Sequence, residues 1–301
     1  MKILEADKRI DFKQVLYLTD FSGPSCEALP FATAIARTYG STIVAAHVLL
    51  PPSYDYMAPE ATTNLLEGRQ EWAHAEMERV GAQLKGLPQE TIIEQSGSLW
   101  EGVARLVKEH DIDLIVLGTH GRTGLKKVLL GSSAEEVCRH SQVPVLTSGP
   151  AARTVTRESG RFHCILFATD FNVVSAVAAP YAVSLAEENQ AQLILLHVLP
   201  QPKPGKANGL GELSVSEAIY RLGSFVPQEA EFWCRPRTVV EYGETASQIL
   251  AVAKRHEVDL IVLGVRGEGR MASIATRLQR DVAYKVVAHA PCPVLTIRGV
   301  S

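Results

Sequence analysis

No two of the five cysteines (Cys26, Cys138, Cys164, Cys234, Cys292) form a C-x-x-C pair in this 301-residue chain. That scatter excludes a disulfide scaffold and gives no basis for a zinc or redox centre, so reduced thiols in a cytoplasmic protein are expected. No apolar run approaches the ~20 residues that span a bilayer. The opening MKILEADKRIDF is broken by charges and does not read as a secretory segment. The formal net charge is only −3, which excludes a globally basic chain that coats nucleic acid. A Walker loop, G-x4-G-K-[ST], is absent, and so are Ser-His-Asp and metal-ligand spacings. What is present is 46% hydrophobic residues, enough for ordinary soluble cores and too many for disorder.

The chain repeats itself. QVLYLTDFS at 14–22 returns as CILFATDFN at 164–172, and STIVAAHVLLP at 41–51 returns as AQLILLHVLPQ at 191–201. DIDLIVLGTHG at 111–121 returns as EVDLIVLGVRG at 257–267, and VPVLTS at 143–148 returns as CPVLTI at 292–297. The order is preserved, so the chain is a tandem duplication of a long unit rather than a solenoid of short ones. The expected units are 1–148 and 162–301. They are joined by the polar Gly- and Pro-containing stretch 149–161.

Within the first unit, apolar strands at 15–19, 42–49, 91–95, 114–117 and 143–147 alternate with helical patterns at 25–39, 60–84, 99–110 and 132–140. The βαβαβαβαβ order predicts a doubly wound, parallel five-stranded α/β sheet of Rossmann-like type in each unit. Ligands of such sheets bind outside the carboxyl ends of the strands, near a topological switch point. Here those ends carry Thr19-Asp20, His47-Val48 and residues 118–121.

The segment GTHGRTGLKKVLLGSSAEEV, 118–137, spells Gly118-x2-Gly121-x9-Gly131-Ser132. Glycines after a strand permit positive φ and close approach to a ligand. Gly131, Ser132 and Ser133 open a helix whose free N–H groups favour an anion. Arg122, Lys126 and Lys127 add positive charge. The same residues also fit plain turn glycines and a serine N-cap, and the residues alone leave both readings open.

The T-D-F-S and H-V strand ends, D-L-I-V-L-G-T-H-G, G-x2-G-x9-G-S and the terminal V-P-V-L resemble the universal stress protein family, in two fused copies covering nearly the whole chain. The resemblance implies its ATP-binding branch for the first unit, with ATP, with or without Mg²⁺, held by Gly118, Thr119, His120, Gly121, Arg122, Gly131, Ser132 and Ser133. Thr19 and Asp20 correspond to the strand end whose acidic residue lies near ribose and adenine. Leu18 and Val48 correspond to positions lining the adenine, although the family usually has proline where Leu18 stands. Ligand contact by Asp20 is expected over simple helix capping because the partner motif is intact. His47 is expected to be structural, and His120 to be a solvated loop residue. The resemblance also implies pairing of the two units through their last strands, 143–147 and 293–297, as an internal pseudo-dimer. Whether two chains then form a homodimer stays open.

The second unit keeps Gly264 and Gly267 but loses the Gly-Ser pair. Alignment on the shared His-x-x-x-Pro tail places Arg280-Asp281 there, where Asp281 would repel a polyphosphate and Arg280 would fill the site by pairing with Asp170. GEGRMA at 267–272 lies too late in the unit to be a dinucleotide fingerprint. The segment 51–61, with two tyrosines and three prolines, reads equally as a lid or as a packing surface, and 202–214 reads as a loop. Three functions compete: an ATP-binding regulator or stress sensor read by a protein partner, a slow ATPase, and a nucleotide-free scaffold. His120 is the lone candidate base for hydrolysis, so an efficient enzyme is not expected.

Overall fold

A computed structural model describes residues 10–51, 59–119, 130–150, 152, 161–202, 213–265 and 282–299. The first unit contains β1 (Gln14–Leu18), α1 (Gly23–Cys26), α2 (Leu29–Tyr39), β2 (Thr42–Leu49), α3 (Pro59–Gln83), β3 (Gln89–Gln95), α4 (Leu99–Glu109), β4 (Leu114–Gly118), α5 (Ser132–His140) and β5 (Val145–Ser148). The second repeats the plan with β6 (Cys164–Ala168), α6 (Val173–Asn189), β7 (Gln192–Leu199), α7 (Val215–Gly223), a 3-10 turn (Gln228–Phe232), β8 (Arg237–Tyr242), α8 (Thr245–Arg255), β9 (Leu260–Val265), α9 (Val282–His289) and β10 (Val294–Arg298).

The ten strands form one sheet in the order β3-β2-β1-β4-β5-β10-β9-β6-β7-β8. Within each half all pairs are parallel. The halves meet where β10 runs antiparallel to β5, with Leu295 opposite Leu146. This is the seam expected from the terminal strands, and it removes two sheet edges at once. Thr147 Oγ1 donates to Val294 O and Thr296 Oγ1 to Val145 O, both at 3.2 Å, a near-symmetric exchange across the seam. Phe12 packs against Tyr181 at 6.2 Å between ring centres, and Ser184 Oγ donates to Ile10 O, so the contact extends beyond the ladder.

The central strands read as near-continuous apolar runs because helices cover both faces. On one face a single core runs through both units, from Phe31, Val80 and Leu84 through Leu146 and Leu295 to Leu185 and Leu222. On the other, α4 and α5 cover one cluster, including Leu18, Val48, Val103 and Val137, and α8 and α9 cover another. The described cysteines form no disulfide, and burial pushes the Cys138 and Cys234 thiols up to about 12. No described helix is long and apolar enough to cross a membrane.

One expected helix, 25–39, is two: α1 ends at Cys26 and α2 begins at Leu29, with Pro30 in its first turn. Proline suits a helix start because its missing N–H has no intrahelical partner there. The repeat-equivalent Pro180 instead lies inside the continuous 17-residue α6.

Candidate functional site

The register brings the carboxyl ends of three strands together. Leu18 pairs with Ala46 on one side and Leu117 on the other, so β1 ends between β2 and β4, at the switch point. Thr19 continues the ladder, its N–H donating to Ala46 O at 3.0 Å. The chain then turns sharply through Phe21, whose φ of +62° is rare for a residue with a side chain. Hydroxyls hold this turn. Phe21 N donates to Thr19 Oγ1 at 3.0 Å, and Thr19 Oγ1 pairs with Ser25 Oγ at the same distance. Ser22 caps α1 by accepting from Ser25 N, and both Ser22 N and Ser22 Oγ donate to Asp20 Oδ1. Asp20 is therefore not the helix cap; it orients the serine that is.

His47 sits beneath this turn, buried, with Nδ1 bonded to Thr19 O at 2.8 Å. A carbonyl only accepts, so Nδ1 carries the proton and the imidazole acts as a strut. The Phe21 ring lies 4.6 Å from it, and Trp72 meets Phe21 edge-on at 5.1 Å. Tyr17 OH donates to Ser25 O at 3.0 Å, and burial pushes its phenol pKa up, so it remains a donor. Tyr17, Phe21, Ser22 and Ser25 were not anticipated as parts of the site. The signal was present, since the Thr-Asp-Phe turn recurs as Thr169-Asp170-Phe171, where Phe171 also has φ +62°.

Thr119 couples the strand ends to α5. Its N–H donates to Ser148 O at 2.9 Å, and its carbonyl accepts from Gly131 N at 2.7 Å. The side chain is buried, so this residue locates the start of α5. Gly131 precedes that helix with φ −61° and ψ 146°, and Ser132 and Ser133 are exposed in its first turn. No side chain caps α5, so neither serine is used as an N-cap and the first-turn N–H groups keep their capacity for an acceptor.

The glycines act differently from expectation. Neither Gly118 nor Gly131 is among the positive-φ residues. Gly118 lies in β4, where a Cβ would stand 2.5 Å from Pro24 O and 2.9 Å from Ser25 Cα. The missing side chain makes room for α1. Leu18 and Val48 are buried in the core at the rim of the site, with Val48 pressed by α4 at Gly102.

The structure thus gathers Leu18, Thr19, Asp20, Val48, Gly118, Thr119, Gly131, Ser132 and Ser133 at one sheet edge. His120, Gly121, Arg122, Lys126 and Lys127 lie outside the described residues, as do most of the 51–61 segment and Arg280-Asp281. The arrangement offers an apolar rim, a fixed carboxylate acceptor and an uncapped helix start. Among the described residues no group of three or more His, Cys, Asp or Glu is placed to hold a metal ion.

Comparison with known proteins adds a family. The model of the universal stress protein family matches residues 11–148 and again 161–298. A universal stress protein of Mycolicibacterium smegmatis is 24% identical over 296 residues, covering 94% of this chain and 96% of that one. The universal stress protein YxiE of Bacillus subtilis is 31% identical over 150 residues, 46% of this chain and 99% of YxiE, so it corresponds to one unit. A crystal structure of a universal stress protein from Archaeoglobus fulgidus shares the fold across 95% of this chain and 98% of its own, with a TM-score of 0.68 at 21% identity.

Proposed function

Because the chain belongs to the universal stress protein family, we propose that its first unit binds ATP and that a protein partner reads nucleotide occupancy rather than rapid turnover. The observation that carries this reading is the Thr119 bridge, whose 2.7 Å bond from Gly131 N sets an uncapped helix start beside the ends of β1 and β4. In the proposed complex the adenine lies against Leu18 and Val48. Asp20, oriented by Ser22, accepts from ribose hydroxyls. The phosphates meet the N–H groups of Ser132 and Ser133 beside Gly131, and His120, Gly121 and Arg122 are the further phosphate contacts proposed. A helix start favours anions through its unpaired N–H groups and its partial positive charge.

The test is Gly131→Glu, with ATP uptake followed by calorimetry. The backbone of Gly131, at φ −61° and ψ 146°, suits any residue, so the variant tests charge and bulk rather than backbone strain. Loss of ATP uptake is expected, and unchanged affinity overturns the site. Phosphate release followed at stoichiometric protein separates a regulator from a slow ATPase; steady multiple turnover would favour the second.

A further inference from the structure

The carboxyl edge of the second unit holds a cavity of about 390 Å³. It lies at the ends of β6, β7 and β9, beside the first turns of α8 and α9, and its position corresponds to that of the first-unit site. Thr169-Asp170 stand where the first unit has Thr19-Asp20, Val198 where it has Val48, and Gly264 where it has Gly118. The framework is also the same. His197 Nδ1 is bonded to Thr169 O at 2.8 Å, and Ser175 Oγ lies 2.9 Å from Thr169 Oγ1.

The copies differ at Ala168, which stands where the first unit has Leu18, at Val265, which stands where it has Thr119, and where α9 begins. Val282 lines the cavity at the place of Ser133 in the alignment on the His-x-x-x-Pro tail. In sequence, Asp281 immediately precedes α9 where the first unit has Ser132. A hydroxyl donor has become an aliphatic wall, and the residue type before the helix has become anionic. Among the described lining residues there is no lysine or arginine. Of the polar side chains that remain, Asp170 and His197 supply acceptors, and Thr245 adds a hydroxyl that can donate or accept. Asp170 is held at the rim by Asn172 N, Asn172 Nδ2 and Ser175 Oγ. His197, with Nδ1 donating to a carbonyl, presents Nε2 as an acceptor. The other walls are aliphatic, including Leu196, Ile249 and Leu263. The volume falls within the range of about 300–1,000 Å³ typical of small-molecule sites.

We infer that the second unit is not a bare scaffold but binds a phosphate-free ligand of nucleoside size, an apolar ring system bearing hydroxyl or amine donors. This rests on the reading of the first unit as a nucleotide site, from which the second has lost the phosphate end and kept the Thr-Asp and His-Val strand ends. Asp170 accepts from the ligand's hydroxyls, Val198 and Ile249 flank its ring, and the start of α9 closes the cavity without receiving an anion.

The test uses the full chain carrying Gly131→Glu and Asp20→Ala, which removes both the phosphate end and the ribose acceptor of the first unit, with adenosine and ATP as probes in calorimetry. One equivalent of adenosine is expected to bind, with ATP at least about tenfold weaker. Adding Val198→Trp, which fills a partly buried wall, should abolish adenosine uptake. Asp170→Asn at the exposed rim should weaken it about tenfold while leaving the fold intact, as circular dichroism would show. No adenosine uptake by the folded protein, ATP bound as tightly as adenosine, or adenosine uptake undiminished by Val198→Trp each overturns the inference. The two readings fail separately. Wild-type protein that takes up no ATP refutes the first-unit site, whereas wild-type protein that binds ATP while the Gly131→Glu, Asp20→Ala protein takes up no adenosine refutes this one.

Discussion

Adding one methyl group at Gly118 should move a helix and, with it, the Asp20 turn. The ideal Cβ at this position falls 2.5 Å from Pro24 O, 2.8 Å from Pro24 C and 2.9 Å from Ser25 Cα. Unstrained non-bonded carbon contacts lie near about 3.5–4.0 Å, so α1 has to retreat by ~1 Å. It is not free to do so. Ser25 O accepts from the buried Tyr17 OH at 3.0 Å, and Ser25 Oγ is bonded to Thr19 Oγ1 at the same distance. Overpacking of this kind costs about 1–3 kcal/mol, and stranding the Tyr17 hydroxyl falls in the same range. Taking about 2 kcal/mol for Gly118→Ala, at about 2–4 °C per kcal/mol, the first-unit melting transition should fall by about 4–8 °C. ATP affinity should fall with it, because Ser22, which orients Asp20, is the N-cap of the displaced helix. Scanning calorimetry reads the first effect and titration calorimetry the second. A Gly118→Ala protein with wild-type melting and wild-type ATP affinity would refute the close-packing argument, and would return the glycine to the role of making room for a ligand.

Two further outcomes follow from groups away from the site. Asp259, buried, accepts from His163 N at 2.7 Å and Cys164 N at 3.1 Å through Oδ2, clamping the start of β6 to β9. Asp259→Ala leaves two backbone donors unpaired and should cost about 1.5–3 kcal/mol in urea unfolding, with ligand affinity little changed because the clamp lies at the opposite edge of the sheet. Glu244 caps α8, and its bonds to Ser247, then to Lys285, lower its pKa from 4.5 to about 2. A depressed carboxylate stabilises the fold above its unfolded pKa, so this contribution is full at neutral pH and is lost as pH falls from about 4.5 to about 2. The side chain is 50% exposed, and solvent screening reduces the effect to that of an ordinary cap, about 1 kcal/mol. Urea midpoints of Glu244→Ala and wild type should therefore differ at pH 7 and converge near pH 2.

The strands were legible because burial on both faces leaves unbroken apolar runs; Val15, Leu16 and Tyr17 are fully buried, as are Ile115 and Val116. The seam between β5 and β10 followed from the resemblance and from two otherwise bare edges. What the sequence could not show was contact between residues far apart in the chain. The neighbour that dictates glycine at 118 is α1, at 23–26, and no local pattern links them. Helix boundaries were ambiguous for a similar reason. Pro30 begins α2 while its equivalent Pro180 is accommodated inside α6, so the same residue in the same repeat position punctuates one copy and not the other.

Comparing the copies separates scaffold from site. Thr19 and Thr169, Ser25 and Ser175, His47 and His197, and Asp113 and Asp259 recur, and each recurrent side chain is engaged with the backbone or with its neighbour inside its own unit. They hold the strand ends whatever ligand lies above them. Shared identity at these positions, including the Thr-Asp-Phe turn that marks the fold in the sequence, therefore says little about what either unit binds. The divergence lies at the helix starts, where Gly131-Ser132-Ser133 stands against Arg280-Asp281-Val282. In the proposed reading those few residues decide whether an anion is accepted. Reading the lost Gly-Ser pair as loss of the whole site gives a bare scaffold. Because Thr169, Asp170, His197 and Val198 still line the second-unit cavity, losing the phosphate end narrows the class of ligand in the proposed reading without closing the site.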